Sequence, residues 1–299
     1  MVVERMINLL IIGTDSALGS NLVRYLYQNN RFRLFSTTRK KEKVDSKTFF
    51  LDLNDYHASI IPKNIDFAII FSYCGGIGFI RENPEYSYKI NVTKTLEIIE
   101  KLHERKIHII YPSTNLFLKK NTSPLKKKQS AYLDYVAQKI KIEEKILSLG
   151  NFGTVIRSSK IIHKKFDLFQ RWIEDFLKNK PVYAFGDLRI SPVWIDCYLN
   201  LITKIILNKI DGNILITSND QISYYDAALK ICEGIGLNKN LVVKVDSTSS
   251  LNKNDLYEGE YLRNCKKNSF LAEFLFDSNY AIQNYLISNS YFNPNLAKK

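Results

Sequence analysis

The chain has 299 residues, of which 45% are hydrophobic and 24% charged, a composition typical of a globular protein with one large or two modest domains. Its net charge of +13 raises nucleic acid as a partner, but the lysines are scattered and do not alternate with aromatic residues as base-stacking surfaces require. The longest early apolar run, INLLIIG, is too short to span a bilayer and is no signal peptide. We predict a cytoplasmic protein that binds neither nucleic acid nor membrane. Its charge is interpreted as a solvated basic surface, and attraction of small polyanions such as a dinucleotide or a nucleotide sugar is the alternative.

The four cysteines argue against a disulfide framework. Cys74, Cys197, Cys232 and Cys265 lie far apart in the sequence and form no CxxC pair. This spacing disfavours a zinc site as well and suits a reducing compartment, so no metal site is predicted.

The first half of the chain alternates short apolar runs with stretches of helical periodicity. We predict strands at INLLIIG, FRLFSTTR, KTFFLDL, DFAIIFS, IHIIYPS and NFGTVIRSS, and helices over 21–28, 90–105 and 132–147. Continuous β-branched runs are typical of buried parallel strands. The alternation predicts an α/β fold with a doubly wound parallel sheet of the Rossmann type.

After Ser159 the pattern becomes less regular. We predict a helix over 166–177, a loop from PVYAFGD into a helix at SPVWIDCYLNLITKIIL, a strand at GNILITS, and a helix at ISYYDAALKICEGIGL capped by Ser223 or Asp220. Residues 1–159 are predicted to form a dinucleotide-binding domain, with later returns near 184–217. Residues 160–299 are predicted to form most of a smaller α/β substrate-binding domain.

A glycine-containing turn, IIGTDSALGSNL, joins the first strand to the first helix. Dinucleotide phosphates bind at such a turn, because backbone N–H groups and the helix dipole both favour their charge. Here a serine replaces the usual middle glycine, and a purely structural turn is the alternative. The residues of the turn that are predicted to contact a cofactor are Gly13, Asp15, Ser16, Ala17, Leu18 and Gly19.

The ends of the second and third strands bear on the choice of cofactor. A carboxylate after the second strand would bind the ribose diol of NAD, but STTRKK offers Arg39 and Lys40. These cations suit the 2′-phosphate of NADP, and a basic surface turn is the alternative. Asp52, followed by Leu53, could accept a hydrogen bond from the adenine amino group.

Tyr135 and Lys139 are one helical turn apart on the same face. A free phenol has a pKa near 10, so a tyrosine acid or base needs help at neutral pH. An ammonium one turn away stabilises the phenolate. The alternative is an amphipathic pair on a solvated helix.

Taken in order, these pieces resemble the extended short-chain dehydrogenase/reductases, particularly those that act on nucleotide sugars. The resemblance covers roughly the first two thirds of the chain. The matching pieces are Gly13–Gly19, Asp52–Leu53, Asn91–Val92, Ser113–Thr114, Tyr135-x-x-x-Lys139, Arg157 and Arg189–Asp196.

The resemblance implies a catalytic group of Thr114, Tyr135 and Lys139. Tyr135 would exchange a proton with the hydroxyl at the reacting carbon, Lys139 would also hold the nicotinamide ribose, and Thr114 would orient the substrate oxygen. Around them, Ser72 and Tyr73 would pass beside the cofactor ribose. Asn91 would steady a bound water or the surroundings of Lys139, with a helix cap as the alternative.

The resemblance also bears on the substrate and the reaction. Asn115, Lys160 and Arg189 would contact a nucleotide-diphosphate sugar. Asn115-Leu116 cannot replace the Asp-Glu pair that 4,6-dehydratases use, and Asn115 also takes the place of the cysteine of double epimerase–reductases. Two enzymatic alternatives stay open: NADPH-dependent reduction of a 4-keto deoxysugar for surface polysaccharide synthesis, favoured by Arg39, and 4-epimerisation with tightly bound NAD. A third is a non-catalytic dinucleotide sensor or scaffold. The resemblance makes a homodimer an option, with a monomer as the alternative.

Overall fold

The computed structural model describes residues 5–54, 61–115, 131–247 and 276–291, and for residues 131–133 it describes only the backbone. The chain divides into two compact units. The first is formed from Met1–Arg157 and Ile202–Ile214, and the second from Ser158–Leu201 and Leu215–Lys299. The first unit is therefore discontinuous in sequence.

The helices and strands of the described ranges are numbered in chain order. The strands are β1 Ile7–Ile12, β2 Phe32–Thr38, β3 Thr48–Phe50, β4 Phe67–Ile70, β5 His108–Thr114, β6 Gly153–Ser158, β7 Ile161–Ile162, β8 Val182–Phe185, β9 Arg189–Ile190, β10 Val193–Trp194, β11 Gly212–Ile216, β12 Ile222–Ser223 and β13 Val242–Val245. The α-helices are α1 Ala17–Leu26, α2 Ile77–Glu82, α3 Pro84–Tyr88, α4 Thr95–Glu104, α5 Ala131–Leu147, α6 Asp167–Leu177, α7 Ile195–Asn208, α8 Tyr224–Gly234 and α9 Ser278–Ser288. Within these ranges every helix is too short or too polar to cross a bilayer.

A seven-stranded sheet organises the first unit, in the order β11-β6-β5-β4-β1-β2-β3. The pairings that join β1 to β2 and β4, β2 to β3, and β4 to β5 are parallel. The chain winds outward in one direction from β1 through β3 and in the other from β4 onward. In such sheets the crevice for a ligand opens where the order reverses, at the carboxyl ends of the strands. The predicted fold class, a doubly wound parallel sheet, is confirmed.

The central strands are buried on both faces. Leu9, Leu10, Ile11 and Ile12 of β1 are each at most 1% exposed, which explains why the run is apolar throughout rather than alternating. Leu10 and Ile12 point into a cluster that also takes in apolar residues of β4, β5 and α4. This packing holds the strand ends that carry the candidate site in fixed positions.

Two helices of the first unit differ from their predicted bounds. The first helix begins at Ala17 rather than at residue 21, because Ser16 caps it. The helix predicted over 90–105 opens with a π-helical segment, Lys89–Lys94, before α4 begins. Such segments interrupt the regular hydrogen-bond ladder, and residue periodicity alone does not reveal them. α2 and α3, which precede this segment, were not predicted.

The second unit contains three small two-stranded sheets. β10 pairs with β7 and β13 with β8 in parallel, and β12 pairs with β9 antiparallel. The prediction of PVYAFGD as loop was wrong, because β8 lies within it and gains its hydrogen bonds from β13, sixty residues later in the chain. Ser223 is confirmed as the cap of α8, since its Oγ accepts from the Asp226 amide at 2.9 Å. Asp220 instead accepts from the Ser278 amide at 2.6 Å.

Candidate functional site

A cleft opens at the carboxyl ends of β1, β2 and β4, where the sheet order reverses. Many of the predicted cofactor residues line it: Gly13, Asp15, Ser16, Arg39, Asp52, Leu53, Ser72 and Tyr73. The other predicted cofactor residues do not line this cleft: Ala17, Leu18, Gly19, Lys40, Asn91, Tyr135 and Lys139. The cleft therefore corresponds to one part of the predicted cofactor site, and the Tyr-Lys pair forms a second cluster.

Gly13 is required by the geometry of the turn. Its φ of +90° lies in the left-handed region, and a Cβ at this position would stand 2.7 Å from the Ser72 amide nitrogen. Gly19 faces the turn in the same way, because a Cβ there would be 2.5 Å from the Gly13 carbonyl oxygen. The two glycines let α1 start directly against β1 and let the backbone border the cleft closely.

Ser16, which stands where a middle glycine is usual, has a structural task in this turn. Its Oγ accepts a hydrogen bond from the Gly19 amide at 3.1 Å and donates to the Gly13 carbonyl at 2.8 Å. It is thus the N-cap of α1, and its proton is used within the turn.

Asp15 ties the glycine turn to the end of β2. Its carboxylate accepts from the Thr38 hydroxyl at 2.9 Å and from the Arg39 amide at 2.8 Å. Burial alone would raise the pKa of Asp15, but these hydrogen bonds, with the nearby charges of Lys40 and Lys43, lower it overall. The Arg39 and Lys40 side chains are both exposed, and only Arg39 lines the cleft.

The cleft fits a polar ligand that carries hydrogen-bonding groups. The Ser72 Oγ is buried, and the described part of the chain offers it no hydrogen-bond partner. An unsatisfied buried hydroxyl is costly unless a bound molecule satisfies it. Together with the close backbone at Gly13, this orphan hydroxyl fits the dinucleotide that the sequence predicts.

Lys139 is buried beside two aromatic rings. Its Nζ donates to the Pro112 carbonyl at 3.2 Å and lies 4.2 Å from the centre of the Tyr73 ring and 4.7 Å from that of Tyr111. Burial lowers the pKa of Lys139 to about 7, and the charge of Glu143 opposes that shift. A solvated amphipathic pair is therefore excluded, because Lys139 is only 8% exposed.

Tyr73 connects the cleft with the Tyr-Lys cluster. It lines the cleft, and its ring meets the Tyr135 ring edge-on with centres 5.6 Å apart. Burial, and next the nearby Tyr135, raise the pKa of Tyr73, so its phenol stays neutral. That phenol donates to Gln138 Oε1 at 3.1 Å.

Asn91 lies in the π-helical segment and is not a helix cap. Its side chain accepts from the Cys74 amide at 2.6 Å and donates to the Cys74 carbonyl at 3.1 Å and to Gln138 Oε1 at 3.0 Å. Gln138 in turn donates to the Ser87 hydroxyl at 3.0 Å. The side-chain amides of Asn91 and Gln138 thus connect the segment after β4 to α5. On that helix, Gln138 is the residue directly before Lys139.

The remaining predicted residues lie at strand ends in the two units. Thr114 ends β5 and is 7% exposed, and Asn115 follows it directly. In the second unit Lys160 is exposed, and the Arg189 guanidinium donates to the Gln221 carbonyl at 3.1 Å. Among the described residues, no group of three or more His, Cys, Asp or Glu side chains is placed to hold a metal ion.

Several residues of the cluster were not predicted from the sequence. Gln138 and Glu143 are on α5 beside Lys139, and both are buried. Tyr111 is buried on β5, and among the described residues its hydroxyl has no hydrogen-bond partner. The sequence signal that could have identified Gln138 and Glu143 is their position as polar residues on the inward face of the helix that carries Lys139. Their partners on β5, β6 and α3 are distant in sequence and could not be assigned from spacing.

Comparisons with known proteins identify the family to which the chain belongs. The family model described as the NAD dependent epimerase/dehydratase family matches residues 9–191. A search of curated protein sequences finds no significant match. A dTDP-4-dehydrorhamnose reductase from Clostridium acetobutylicum is similar in structure, with a TM-score of 0.75, 15% identity, and coverage of 95% of this chain and 100% of that one.

Two further solved structures illustrate the range of similar proteins. A dTDP-4-dehydrorhamnose reductase from Bacillus anthracis, in complex with NADP, has a TM-score of 0.73 at 16% identity over 95% of this chain and 98% of that one. A UDP-glucose 4-epimerase from Thermotoga maritima, with UDP-glucose, has a TM-score of 0.68 at 14% identity over 95% of this chain and 100% of that one. At these identities the structures establish a shared fold, whereas the family match spans more than half of the chain. The chain belongs to the NAD dependent epimerase/dehydratase family, whose members are NAD(P)-dependent enzymes of the extended short-chain dehydrogenase/reductase type.

Proposed function

We propose that the protein reduces the 4-keto group of a nucleotide-diphosphate-linked deoxysugar with NADPH, in the synthesis of surface polysaccharide or a related sugar. The observation that carries the proposal is the cluster in which the Tyr73 ring contacts both the buried Lys139 and Tyr135, beside a cleft that Arg39 lines. When bound, the dinucleotide supplies the hydride. The protein has to bind the dinucleotide and the sugar, orient the keto group, and deliver a proton to the substrate oxygen.

Tyr135 is the proposed proton donor to the developing alkoxide. A phenol with a pKa near 10 is too weak an acid to work alone at neutral pH, and an adjacent ammonium favours its anionic form. Lys139 is held in place by the Pro112 carbonyl and by the rings of Tyr73 and Tyr111, so its charge has a fixed position. Its burial strengthens the electrostatic effect, because the local dielectric is low.

Thr114 is the proposed positioning donor for the substrate oxygen. It stands at the carboxyl end of β5, and the following residue, Asn115, has no acid or base to offer for dehydration. Lys160 and Arg189 are proposed contacts of the nucleotide diphosphate, since cations on the second unit suit its charge. The similar structures that act on dTDP- and UDP-linked sugars support this class of substrate.

NADPH is the proposed cofactor. Arg39 lines the cleft at the end of β2, where an adenosine ribose is expected to lie, and a guanidinium suits a 2′-phosphate. The Asp15 carboxylate is nearby, but it is already engaged by the Thr38 hydroxyl and the Arg39 amide. The similar reductase with bound NADP supports the same choice.

The direct test is an assay of NADPH oxidation with dTDP-4-keto-6-deoxyglucose as the substrate. The loss of the reduced-nicotinamide absorbance measures turnover, and mass spectrometry identifies the sugar product. We expect turnover that depends on the keto sugar and is lost in Tyr135→Phe. No oxidation above that variant's background, with this sugar and with its UDP- and GDP-linked counterparts, would contradict the reductase.

The second candidate is a 4-epimerase that retains NAD. The similar 4-epimerase structure and the presence of a carboxylate, Asp15, beside the β2 end favour it. Mass spectrometry of the nucleotide retained after purification separates the two: the epimerase requires bound NAD and converts UDP-glucose to its 4-epimer without added reductant. Family membership favours either enzyme over the non-catalytic sensor or scaffold.

A further inference from the structure

Glu143 is a buried carboxylate on α5, one helical turn beyond Lys139. It is 3% exposed, and both of its oxygens are engaged. The Ser113 hydroxyl donates to Oε1, and the Arg157 guanidinium donates to Oε2 through Nε at 3.0 Å and also through Nη2. Burying a carboxylate is costly, so this arrangement has to be explained by the groups that surround it.

The partners of Glu143 lie on β5, the strand that carries Thr114, and on the neighbouring strand β6. Ser113 precedes Thr114 on β5, and Arg157 lies on the neighbouring strand β6. Lys139 reaches the same segment of β5, because its Nζ donates to the Pro112 carbonyl at 3.2 Å. Two successive turns of α5 are thus attached to two successive residues of β5.

We propose that Glu143 is a positioning residue that keeps the Lys139 ammonium charged and fixed beside Tyr135, while Arg157 limits that effect. That this effect serves catalysis rests on the proposed function. The effect of Glu143 on the charge of Lys139 does not depend on it. Neither Glu143 nor Arg157 is proposed to contact substrate or cofactor.

The charges around Lys139 explain why one carboxylate matters. The titratable or charged groups that face it or reach it come from the segment after β4, from β5 and β6, and from α5: Tyr73, Tyr111, Arg157, Tyr135 and Glu143. Burial raises the pKa of Tyr73 and Tyr111, so these two phenols carry no charge at neutral pH. Within the described residues, Glu143 is left as the anion that offsets the desolvation of Lys139, and Arg157 acts through its pairing with that anion.

The test is the titration of Lys139 in the ligand-free full-length protein. Lysine labelled with ¹³C at Cε reports the protonation of each ammonium by NMR, and the Lys139 signal is assigned by its absence from Lys139→Arg. We expect Glu143→Gln to lower the titration midpoint of Lys139 by roughly one pH unit or more, because an opposing charge nearby is removed. Glu143→Asp, which keeps the charge, should restore most of the midpoint.

Arg157→Gln provides the sharper comparison. It removes a cation that competes for Glu143, so we expect the Lys139 midpoint to rise. A loss of packing alone would shift the midpoint in the same direction in Arg157→Gln and Glu143→Gln, whereas the electrostatic proposal requires opposite directions. The matched control is Glu144→Gln, the next residue on α5, whose exposed carboxylate pairs with Lys141 at 3.8 Å and which should leave the midpoint unchanged.

Glu143→Gln leaves Arg157 with a neutral partner and is the variant at greatest risk of not folding. In that event, Glu143→Gln combined with Arg157→Gln is compared with Arg157→Gln alone, and the added loss of the carboxylate should lower the midpoint. The proposal is overturned if the midpoint is unchanged or raised in Glu143→Gln relative to wild type, or in the double variant relative to Arg157→Gln. Because no substrate is present, a failed reductase assay does not alter this result, and an unchanged midpoint beside a successful assay overturns only the assignment of Glu143.

Discussion

The two ends of the candidate site hold their charges in opposite ways. At the end of β2, Arg39 and Lys40 are exposed, and the Asp15 carboxylate is satisfied by a hydroxyl and a backbone amide. On α5, Lys139 and Glu143 are almost completely buried, and their partners are side chains and backbone of neighbouring strands. Exposed charges are screened by water and salt, whereas buried ones interact strongly and respond to pH.

This contrast teaches which properties each end can control. The exposed end can select a ligand by adding or removing a hydrogen bond, with little effect on folding. The buried end can tune proton transfer, but a change there also alters the stability of the fold. The following predictions probe the contrast from the largest expected effect to the smallest.

The largest effect is expected at the proposed proton donor. Tyr135→Phe removes the phenolic oxygen and should lower kcat by about 10²–10⁴-fold, the usual contribution of an acid–base group. Dinucleotide affinity, measured by fluorescence titration, should change little. Tyr27→Phe, which alters a phenol that is 80% exposed, is the control and should retain full activity. A Tyr135→Phe enzyme with unchanged kcat would remove the acid–base role.

The burial of Lys139 should appear as a pH dependence of stability. In the folded protein its pKa is about 7, against an ordinary value of 10.5. Between these values the unfolded chain binds more protons, so stability should rise with pH in that window, by on the order of 1 kcal/mol per pH unit for one proton. Urea unfolding measured across this pH range gives the free energy of unfolding at each pH. Its slope against pH should be smaller in Lys139→Met than in wild type by this amount.

The control for this prediction is Lys141→Met, on the same helix. Its ammonium is exposed and pairs only loosely with Glu144, so its loss should leave the slope as in wild type. Equal slopes in wild type and Lys139→Met would show that the ammonium is hydrated.

Gly13→Ala should damage the turn by steric conflict. The new Cβ would stand 2.7 Å from the Ser72 nitrogen at a φ of +90°, so we expect a loss of about 1–3 kcal/mol in stability and weaker dinucleotide binding. Gly212→Ala is the matched control, because its φ is +84° and no heavy atom lies within 4 Å of the added Cβ. Thermal unfolding of the two variants separates the clash from backbone strain, and equal losses would contradict the close approach.

The smallest effect on the fold is expected at the exposed end. Arg39→Ala should weaken NADPH binding about tenfold or more, as expected for a lost charge-assisted hydrogen bond, and leave NADH binding and thermal stability nearly unchanged. Lys40→Ala, an exposed neighbour that does not line the cleft, serves as the control. Calorimetric titration with NADPH and with NADH measures the ratio of their two dissociation constants in each variant. Equal losses for NADPH and NADH would show that Arg39 does not select a 2′-phosphate.

Several elements of the protein followed from the sequence by itself. Buried parallel strands require continuous apolar runs, so INLLIIG and IHIIYPS could be assigned and the order of strands and helices indicated the sheet. The spacing of Tyr135 and Lys139 places both on one helical face whatever surrounds them. The turn that contains Gly13 was likewise predicted to join a strand to a helix, and the structure places it between β1 and α1.

Only the tertiary structure decided the surroundings of these groups. The sequence could not tell whether Lys139 is solvated, because its burial depends on the rings of Tyr73, which follows β4, and of Tyr111 on β5. The same holds for Ser16, whose hydroxyl closes the turn, and for Glu143, whose partners come from two strands of the sheet. Local periodicity reports which face of an element is apolar. Charge, hydration and proton affinity depend on contacts between residues that only folding brings together.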